Sequence, residues 1–228
     1  MSTSLYVAYS GLQADMRALD VAANNLANVN TTGFREERSF ITALDAAGEL
    51  YPSVGGTEEW TQPGPFVNTG RDLDVAIEGQ GFLVVDTPAG RRYTRDGGLS
   101  LDEEGLLVTR AGHPVLGQGG RIQLRSGKVD IDPEGRVTVS GVQAGRLLLV
   151  RVPQTSLSRE AAGLYRSSDG TEIPATEDRL KQGFIEKSNV DLPSGDLMQL
   201  QRHFQALSRA MQTVNGLERR LINTVKGA

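Results

Sequence analysis

The chain has 228 residues, a net charge of −4 and 38% hydrophobic residues, enough for one large domain or two small ones. The acidic balance argues against a nucleic-acid surface, and no apolar run reaches the roughly 18 residues of a membrane span. Cysteine is absent, which excludes disulfides, thiol catalysis and cysteine-ligated metals.

The first predicted element is a helix over 5–29 with apolar residues spaced alternately four and three apart. This spacing places them on one narrow seam of the helix, as in coiled coils. The seam residues are Leu5, Tyr9, Leu12, Met16, Leu19, Ala23 and Leu26. Gly33 is the predicted helix stop in the left-handed conformation, with Phe34 as an apolar anchor. Asn24, Asn25 and Asn28 have two interpretations: fraying at the helix end, or amides that bond across subunits and fix register.

In the middle of the chain the spacing of apolar residues changes. Proline and glycine interrupt 35–72, which we interpret as an extended connector. From residue 73 apolar residues alternate with polar ones between closely spaced turn signals, which predicts a central all-β domain over 73–185. One turn recurs, at 102–105 and 132–135, and a return segment over 153–182 leads to a last strand at Phe184 and Ile185.

A second seven-residue pattern predicts a C-terminal helix. Its seam residues are Leu197, Leu200, Phe204, Leu207, Met211, Val214 and Leu221. The predicted fold class is α+β, with the N- and C-terminal helices paired as a coiled coil and a central barrel-like or sandwich-like β domain. The predicted domains are an N-terminal helix (1–34), a connector (35–72), the β domain (73–185) and a C-terminal helix (186–228).

Several motifs resemble those of the bacterial flagellar rod and hook proteins. They stand in the family's order at 23–34, 74–82, 93–97 and 183–191, and together span nearly the whole chain. The short length and the segment 112–120 resemble the proximal rod protein that adjoins the distal rod. A distal rod or hook-type subunit is the alternative within the family.

The resemblance implies a structural rod subunit that self-assembles through paired terminal helices and transmits torque from motor to hook. It implies a periplasmic location in the basal body and export through the flagellar type III apparatus without a cleaved signal peptide. Its partners would be other rod subunits and that apparatus, with no nucleic acid and no membrane insertion. The seam residues and the three asparagines would form subunit contacts. The family-motif residues are Gly33, Phe34, Ser188, Asn189 and Val190.

The sequence offers little chemistry. His113 and His203 are the only histidines, and neither has a metal-ligand spacing, so we expect no cofactor, no metal and no enzyme activity. Two other classes remain open. One is a periplasmic carbohydrate-active enzyme that uses carboxylates such as Asp102 and Glu104, and the other is an adaptor whose helices pair within one chain.

Overall fold

The computed structural model describes residues 3–46, 49–59 and 62–190, together with the isolated positions Arg202, Gln205, Ala206, Arg209 and Thr213. Helix α1 (Thr3–Ala27) opens the chain. Nineteen strands follow within the described ranges. They are β1 (Glu37–Ala46), β2 (Glu49–Glu59), β3 (Phe66–Asn68), β4 (Val75–Glu78), β5 (Phe82–Thr87), β6 (Gly90–Thr94), β7 (Leu99–Leu101), β8 (Leu107–Thr109), β9 (Leu116–Gly117), β10 (Gly120–Arg121), β11 (Val129–Ile131), β12 (Arg136–Val139), β13 (Val142–Arg146), β14 (Leu149–Arg151), β15 (Leu157–Arg159), β16 (Leu164–Ser167), β17 (Ile173–Pro174), β18 (Arg179–Gln182) and β19 (Phe184–Glu186). Short 3₁₀ turns lie at Gln154–Ser156 and Ala161–Gly163.

The predicted α+β class with paired terminal helices is wrong. Strands dominate, and α1 is the one helix whose bounds fall in the described ranges. Five isolated C-terminal positions have helical backbone, but no coiled-coil pairing of two terminal helices is present in the described part of the chain. The physical reason is that α1 packs on strands β1 and β2. A seven-residue repeat predicts an apolar stripe on a helix, but not which element lies against it. Within the described residues, no helix has the length and apolarity that crossing a membrane requires.

The segment expected to be a connector contains a long antiparallel hairpin. Strands β1 and β2 pair from Glu37 opposite Glu59 to Ala46 opposite Glu49. The register shifts at Phe40 and Ile41, which is the signature of a β-bulge. Among the described residues, each strand of this ribbon pairs on one side only, so Pro52 and two consecutive glycines are tolerated inside it.

The period-two segments form antiparallel strands, as the alternation predicts. A six-stranded sheet has the order β15-β16-β6-β5-β14-β17, and β11-β12-β13 form a second sheet. Strand β5 is buried on both faces: Leu83 and Val85 enter one apolar cluster, and Phe82 and Val84 enter another. Burial on both faces explains why this strand is a continuous apolar run instead of an alternating one.

The recurring turn is confirmed as one local structure used twice. Asp102 accepts hydrogen bonds from the backbone amides of Glu104 and Leu106, and Asp132 likewise accepts from the amide of Arg136. In both copies the final glycine has a positive φ, 79° and 82°. Although burial raises the pKa of Asp132, hydrogen bonds from the backbone and guanidinium of Arg136 hold it below its usual value.

The chain divides into two compact units. The helix–hairpin unit contains α1 and the β1–β2 hairpin. The β unit contains Asn28–Arg35 and residues 62–190. The four domain boundaries expected from the sequence remain a prediction.

Candidate functional site: the helix seam and the motif junction

The described part of the α1 seam is only partly covered. Leu5, Tyr9 and Leu12 lie within α1, but only their backbone is described. Met16 is 40% exposed, Ala23 is exposed, and Leu19 and Leu26 are half-buried. The second predicted seam lies outside the described residues: Leu197, Leu200, Phe204, Leu207, Met211, Val214 and Leu221. The interface role of all these residues stays a prediction.

The three asparagines occupy different environments. Asn25 is buried, its amide nitrogen donates to the carbonyl of Glu37 at 2.7 Å, and its amide oxygen accepts from the Glu37 backbone nitrogen at 2.9 Å. Asn24 is exposed, while half-buried Asn28 accepts from the Thr31 hydroxyl at 3.2 Å. The Asn25 amide therefore joins helix to hairpin within one chain. A contact between subunits remains a prediction for all three asparagines.

Three of the sequence motifs meet at one place in the β unit. We call this place the motif junction and define it by residues 28–35, 93–97 and 183–190. The Gly33 amide donates to the carbonyl of Glu186 at 2.8 Å, and the Asn189 amide donates to the carbonyl of Phe34 at 3.3 Å. Segments that are far apart in sequence therefore run beside each other as hydrogen-bonded backbone.

A buried ion cluster lies at the centre of the junction. Arg95 and Glu186 are each 1% exposed. Arg95 donates to one Glu186 carboxylate oxygen from Nε at 2.8 Å and from Nη2 at 2.6 Å. The other oxygen accepts from the Gly64 amide at 3.2 Å and lies 3.9 Å from Nε of buried Arg35. Such a cluster is stable only when each partner is present, because removing one leaves an uncompensated buried charge.

Arg95 also links this cluster to strand β4 and to the residue that precedes strand β5. Its Nη2 donates to the carbonyl of Ile77 at 3.0 Å, and its Nη1 donates to the carbonyl of Gly81. The guanidinium lies 5.9 Å from the ring centroid of Phe82. One side chain therefore links three strands and the motif segments.

Gly33 is needed for a close backbone approach. The helix ends at Ala27, so Gly33 is not the helix stop that the sequence suggested. Its φ is +68°, the positive value expected, and a Cβ there would lie 2.6 Å from the carbonyl carbon of Arg95. Both facts favour glycine, because other residues rarely adopt this conformation and no side chain fits against that backbone.

Phe34 anchors the segment, as predicted, although the element that holds it is unexpected. The ring is 3% exposed, and the Arg159 guanidinium lies 4.4 Å from its centroid. Arg159 also donates to the carbonyl of Arg35 at 2.6 Å and lies 5.6 Å from the centroid of Tyr165. The return segment expected over 153–182 thus contributes a clamp on the N-terminal motif.

The C-terminal motif is held in the same way. Buried Ser188 accepts a hydrogen bond from the amide of half-buried Val190 at 3.2 Å. The Asn189 side chain donates to the carbonyl of Gln62 at 2.7 Å. A Cβ on Gly64 would lie 1.9 Å from the Lys187 carbonyl oxygen, so these two backbones are in direct contact.

A second polar group lies beside the ion cluster. Arg110 donates to the Thr32 hydroxyl at 3.2 Å, and the Gly98 amide donates to Asp96 at 2.9 Å. Burial raises the pKa of Asp96, with buried Asp74 acting in the same direction, although the Gly98 hydrogen bond and Arg110 favour the charged form.

The residues considered for chemistry do not converge. Asp102 and Glu104 are exposed on one hairpin turn, and His113 lies half-buried before β9. His203 is outside the described residues. No cluster of three or more potential metal ligands occurs among the described residues. The sequence interpretation missed Arg35, Arg95, Arg159 and Glu186, although Arg95 and Glu186 lie inside two of the motifs.

Three known protein families match parts of this chain. Residues 5–35 match the family described as "Flagella basal body rod protein". Residues 76–139 match "Flagellar hook protein FlgE/F/G D1 domain", and 181–224 match "Flagellar basal body rod FlgEFG protein C-terminal".

Similar whole proteins have related descriptions. Flagellar basal-body rod protein FlgF of Caulobacter vibrioides is 36% identical over 236 residues, with 96% of each chain covered. FlgF of Rhizobium meliloti is 34% identical, with 100% of each chain covered. FlgG of Bacillus subtilis is 34% identical over 264 residues, covering 98% of this chain and 99% of the relative.

Proposed function

This chain belongs to the flagellar basal-body rod protein family, and on that premise we propose that it is a subunit of the proximal rod whose α1 seam docks on neighbouring subunits. As a family member it is a structural, non-enzymatic subunit of the rod, placed in the basal body and assembled with other rod components. Self-assembly and transmission of torque are the general roles of such a subunit.

Chain length supports the proximal position. Identity alone does not separate the FlgF and FlgG relatives, because the values are 36% and 34%. The match to FlgG of Bacillus subtilis extends over 264 positions, whereas the match to FlgF of Caulobacter vibrioides extends over 236, close to this chain's 228 residues. The FlgG relative therefore carries more insertions. This agrees with the resemblance of 112–120 to the proximal rod protein.

The observation that carries the docking proposal is the exposed apolar residue Met16. A single exposed methionine is ordinary on a protein surface. Here it belongs to a repeating stripe in which Leu19 and Leu26 are only half-covered by the chain itself. In a protein that assembles, the remaining apolar area is available to a second subunit, and its burial favours association by about 25 cal/mol per Å².

A charge placed on the seam tests this proposal. Met16→Asp should abolish swimming and leave basal bodies without a complete rod, because a carboxylate without a partner is costly to bury. Gln13→Asp is the matched control, since it adds the same group at an exposed position of the same helix. The free energy of unfolding of the purified chain should be similar in both variants. Normal swimming of the Met16→Asp strain would contradict docking through the seam.

We also propose export through the flagellar type III apparatus, with the signal in the N-terminal region. Family membership supports this proposal. Deletion of 5–30 should keep the chain in the cytoplasm, whereas deletion of most of 75–150 should still allow some secretion. Equal secretion of the two deletion variants, measured by immunoblot of the culture medium from a hook-deficient strain, would exclude this arrangement.

A further inference from the structure

One corner of the β unit projects apolar and basic groups that the described chain does not cover. It consists of the exposed loop 125–128 and the exposed segment 140–144. The Ser140 amide donates to the Lys128 carbonyl at 2.9 Å, so the two pieces lie side by side. We call this corner the valine tip.

The apolar part of the tip continues a row of the core. Val129 pairs with Val139, and Val139 pairs with Val142, across three adjacent strands. Directly opposed residues in antiparallel strands point to the same face. Val129 and Val139 are buried, whereas Val142 is 72% exposed, the highest value among the large exposed apolar side chains. An apolar row that leaves the core in this way is suited to continue across a contact with another molecule.

The tip is also basic. Arg125 and Lys128 are exposed, and neither forms an ion pair within the described part of the chain. By contrast, several neighbouring arginines are paired, for example Arg121 with Asp86 at 2.7 Å and Arg136 with Asp132. The preferred partner of this tip is therefore an apolar residue with acidic neighbours.

The helix–hairpin unit of another copy has that chemistry. The segment 36–59 contains one basic residue, Arg38, and six acidic residues: Glu36, Glu37, Asp45, Glu49, Glu58 and Glu59. Phe40 lies in this acidic segment on β1 and is 45% exposed. One chain thus carries an exposed apolar residue near two exposed basic residues, and another within a segment of acidic composition.

We propose that the valine tip of one subunit docks on the acidic hairpin of a second copy, with Val142 beside Phe40. The contact joins two different surfaces, so it is heterologous, and a heterologous contact whose rotation does not close builds an open helical assembly such as a shaft. Opposite charges orient and accelerate such an encounter. This inference rests on the rod assembly of the family and is independent of the α1 seam.

The lack of cysteine makes the contact directly measurable. Two differently tagged copies, one with Val142→Cys and one with Phe40→Cys, are expressed together and oxidised in isolated basal bodies. A disulfide-linked heterodimer should form, because a disulfide requires Cα atoms within about 7 Å. Leu101→Cys paired with Phe40→Cys is the control, since Leu101 is another exposed apolar residue of the β unit. Its heterodimer yield should be roughly tenfold lower.

Charge reversal provides a second, independent test of the proposed contact. The variant with Arg125→Glu and Lys128→Glu should reduce swimming, and addition of Glu37→Lys should restore part of it. The charge-conserving variant with Arg125→Lys and Lys128→Arg should swim like wild type. Heterodimer yields equal to the Leu101 control, in basal bodies that are otherwise complete, would overturn the proposal. Failure of the seam would be seen separately as normal assembly of the Met16→Asp strain.

Discussion

The two units of the chain are stabilised in different ways. All hydrophobic side chains described as buried belong to the β unit, which also contains the buried ion cluster. The helix–hairpin unit buries only Asn25 among its described side chains, and Met16 and Phe40 remain exposed on it. The hairpin is a two-stranded ribbon, an arrangement that is marginally stable alone in water.

This difference indicates that the two units have different roles in the subunit. The β unit has the apolar burial that a domain needs to fold by itself, with two clusters on opposite faces of strand β5. The helix–hairpin unit leaves apolar side chains exposed, as the proposed contacts with other subunits require. Changes in the β unit should therefore lower the stability of the single chain, whereas changes in the other unit should mainly affect assembly or local opening.

The largest loss of stability is expected from Glu186→Gln. Without the carboxylate, the buried guanidinium of Arg95 loses its paired charge, which costs about 3–5 kcal/mol. Guanidinium unfolding of the purified chain measures the loss. Glu177→Gln is the control: its side chain is 82% exposed, it pairs with Arg151 at 3.4 Å, and its loss should cost about 0–1 kcal/mol. Similar midpoints for the two variants would show that the β unit does not depend on the ion cluster.

The next largest loss of stability is expected at Gly33 in the motif junction. Two variants separate the energetic cost of its backbone conformation from that of its packing. Gly33→Ala should cost about 1–2 kcal/mol for its positive φ and about 1–3 kcal/mol more for its clash with the Arg95 backbone. Gly70→Ala is the matched variant, because Gly70 has φ +66° and no atom lies within 4 Å of the position that a Cβ would take there. Gly70→Ala should show only the cost of the positive φ. Equal unfolding free energies for the two alanine variants would mean that the junction can move away from residue 33.

A smaller and more local effect is expected in the helix–hairpin unit. Asn25→Ala removes two hydrogen bonds to Glu37, each worth about 1 kcal/mol. Amide hydrogen exchange at Glu37 should accelerate by roughly tenfold or more, while the unfolding midpoint of the β unit stays unchanged. Gln13→Ala, at an exposed position of the same helix, is the control and should leave this exchange rate unaltered. A lowered midpoint of the β unit would show that the two units unfold together.

The smallest effect depends on pH. Because the pKa of Asp96 is raised above its unfolded value, the folded chain loses stability as pH rises through that pKa. Asp96→Asn removes the charge and keeps an acceptor for the Gly98 amide. The variant should therefore be more stable than wild type at neutral pH, and the difference should vanish well below the ordinary aspartate pKa of about 3.9. A difference that is constant with pH would assign the effect to something other than titration.

The sequence predicted helices and strands better than it predicted which of them pack or pair with each other. The seven-residue repeat correctly indicated α1, and the alternation near Val129 and Val137 correctly indicated strands. The hairpin was missed because Pro52 and Gly55 normally break regular structure. In a two-stranded ribbon one side of each strand makes no ladder, and a bulge accepts an extra residue, so both are tolerated there.

The junction was predicted only in its local part. The positive φ of Gly33 and the anchoring of Phe34 follow from residue type and neighbouring sequence. The pairing of Arg95 with Glu186 does not, because a single sequence carries no signal for which distant charges meet inside a core. Arg159 was missed for the same reason: its partners Phe34 and Tyr165 become neighbours only after the sheet has formed.

The wide sequence spacing of the ion cluster has a kinetic consequence. Arg95 and Glu186 are 91 residues apart, and the bond from Arg159 to Arg35 spans 124. Long loops must close before these contacts contribute, and folding rates fall as the mean sequence separation of contacts rises. We therefore expect the β unit to fold slowly and its junction to close last. Slow folding is compatible with the export proposed above, in which the chain is transferred before it folds.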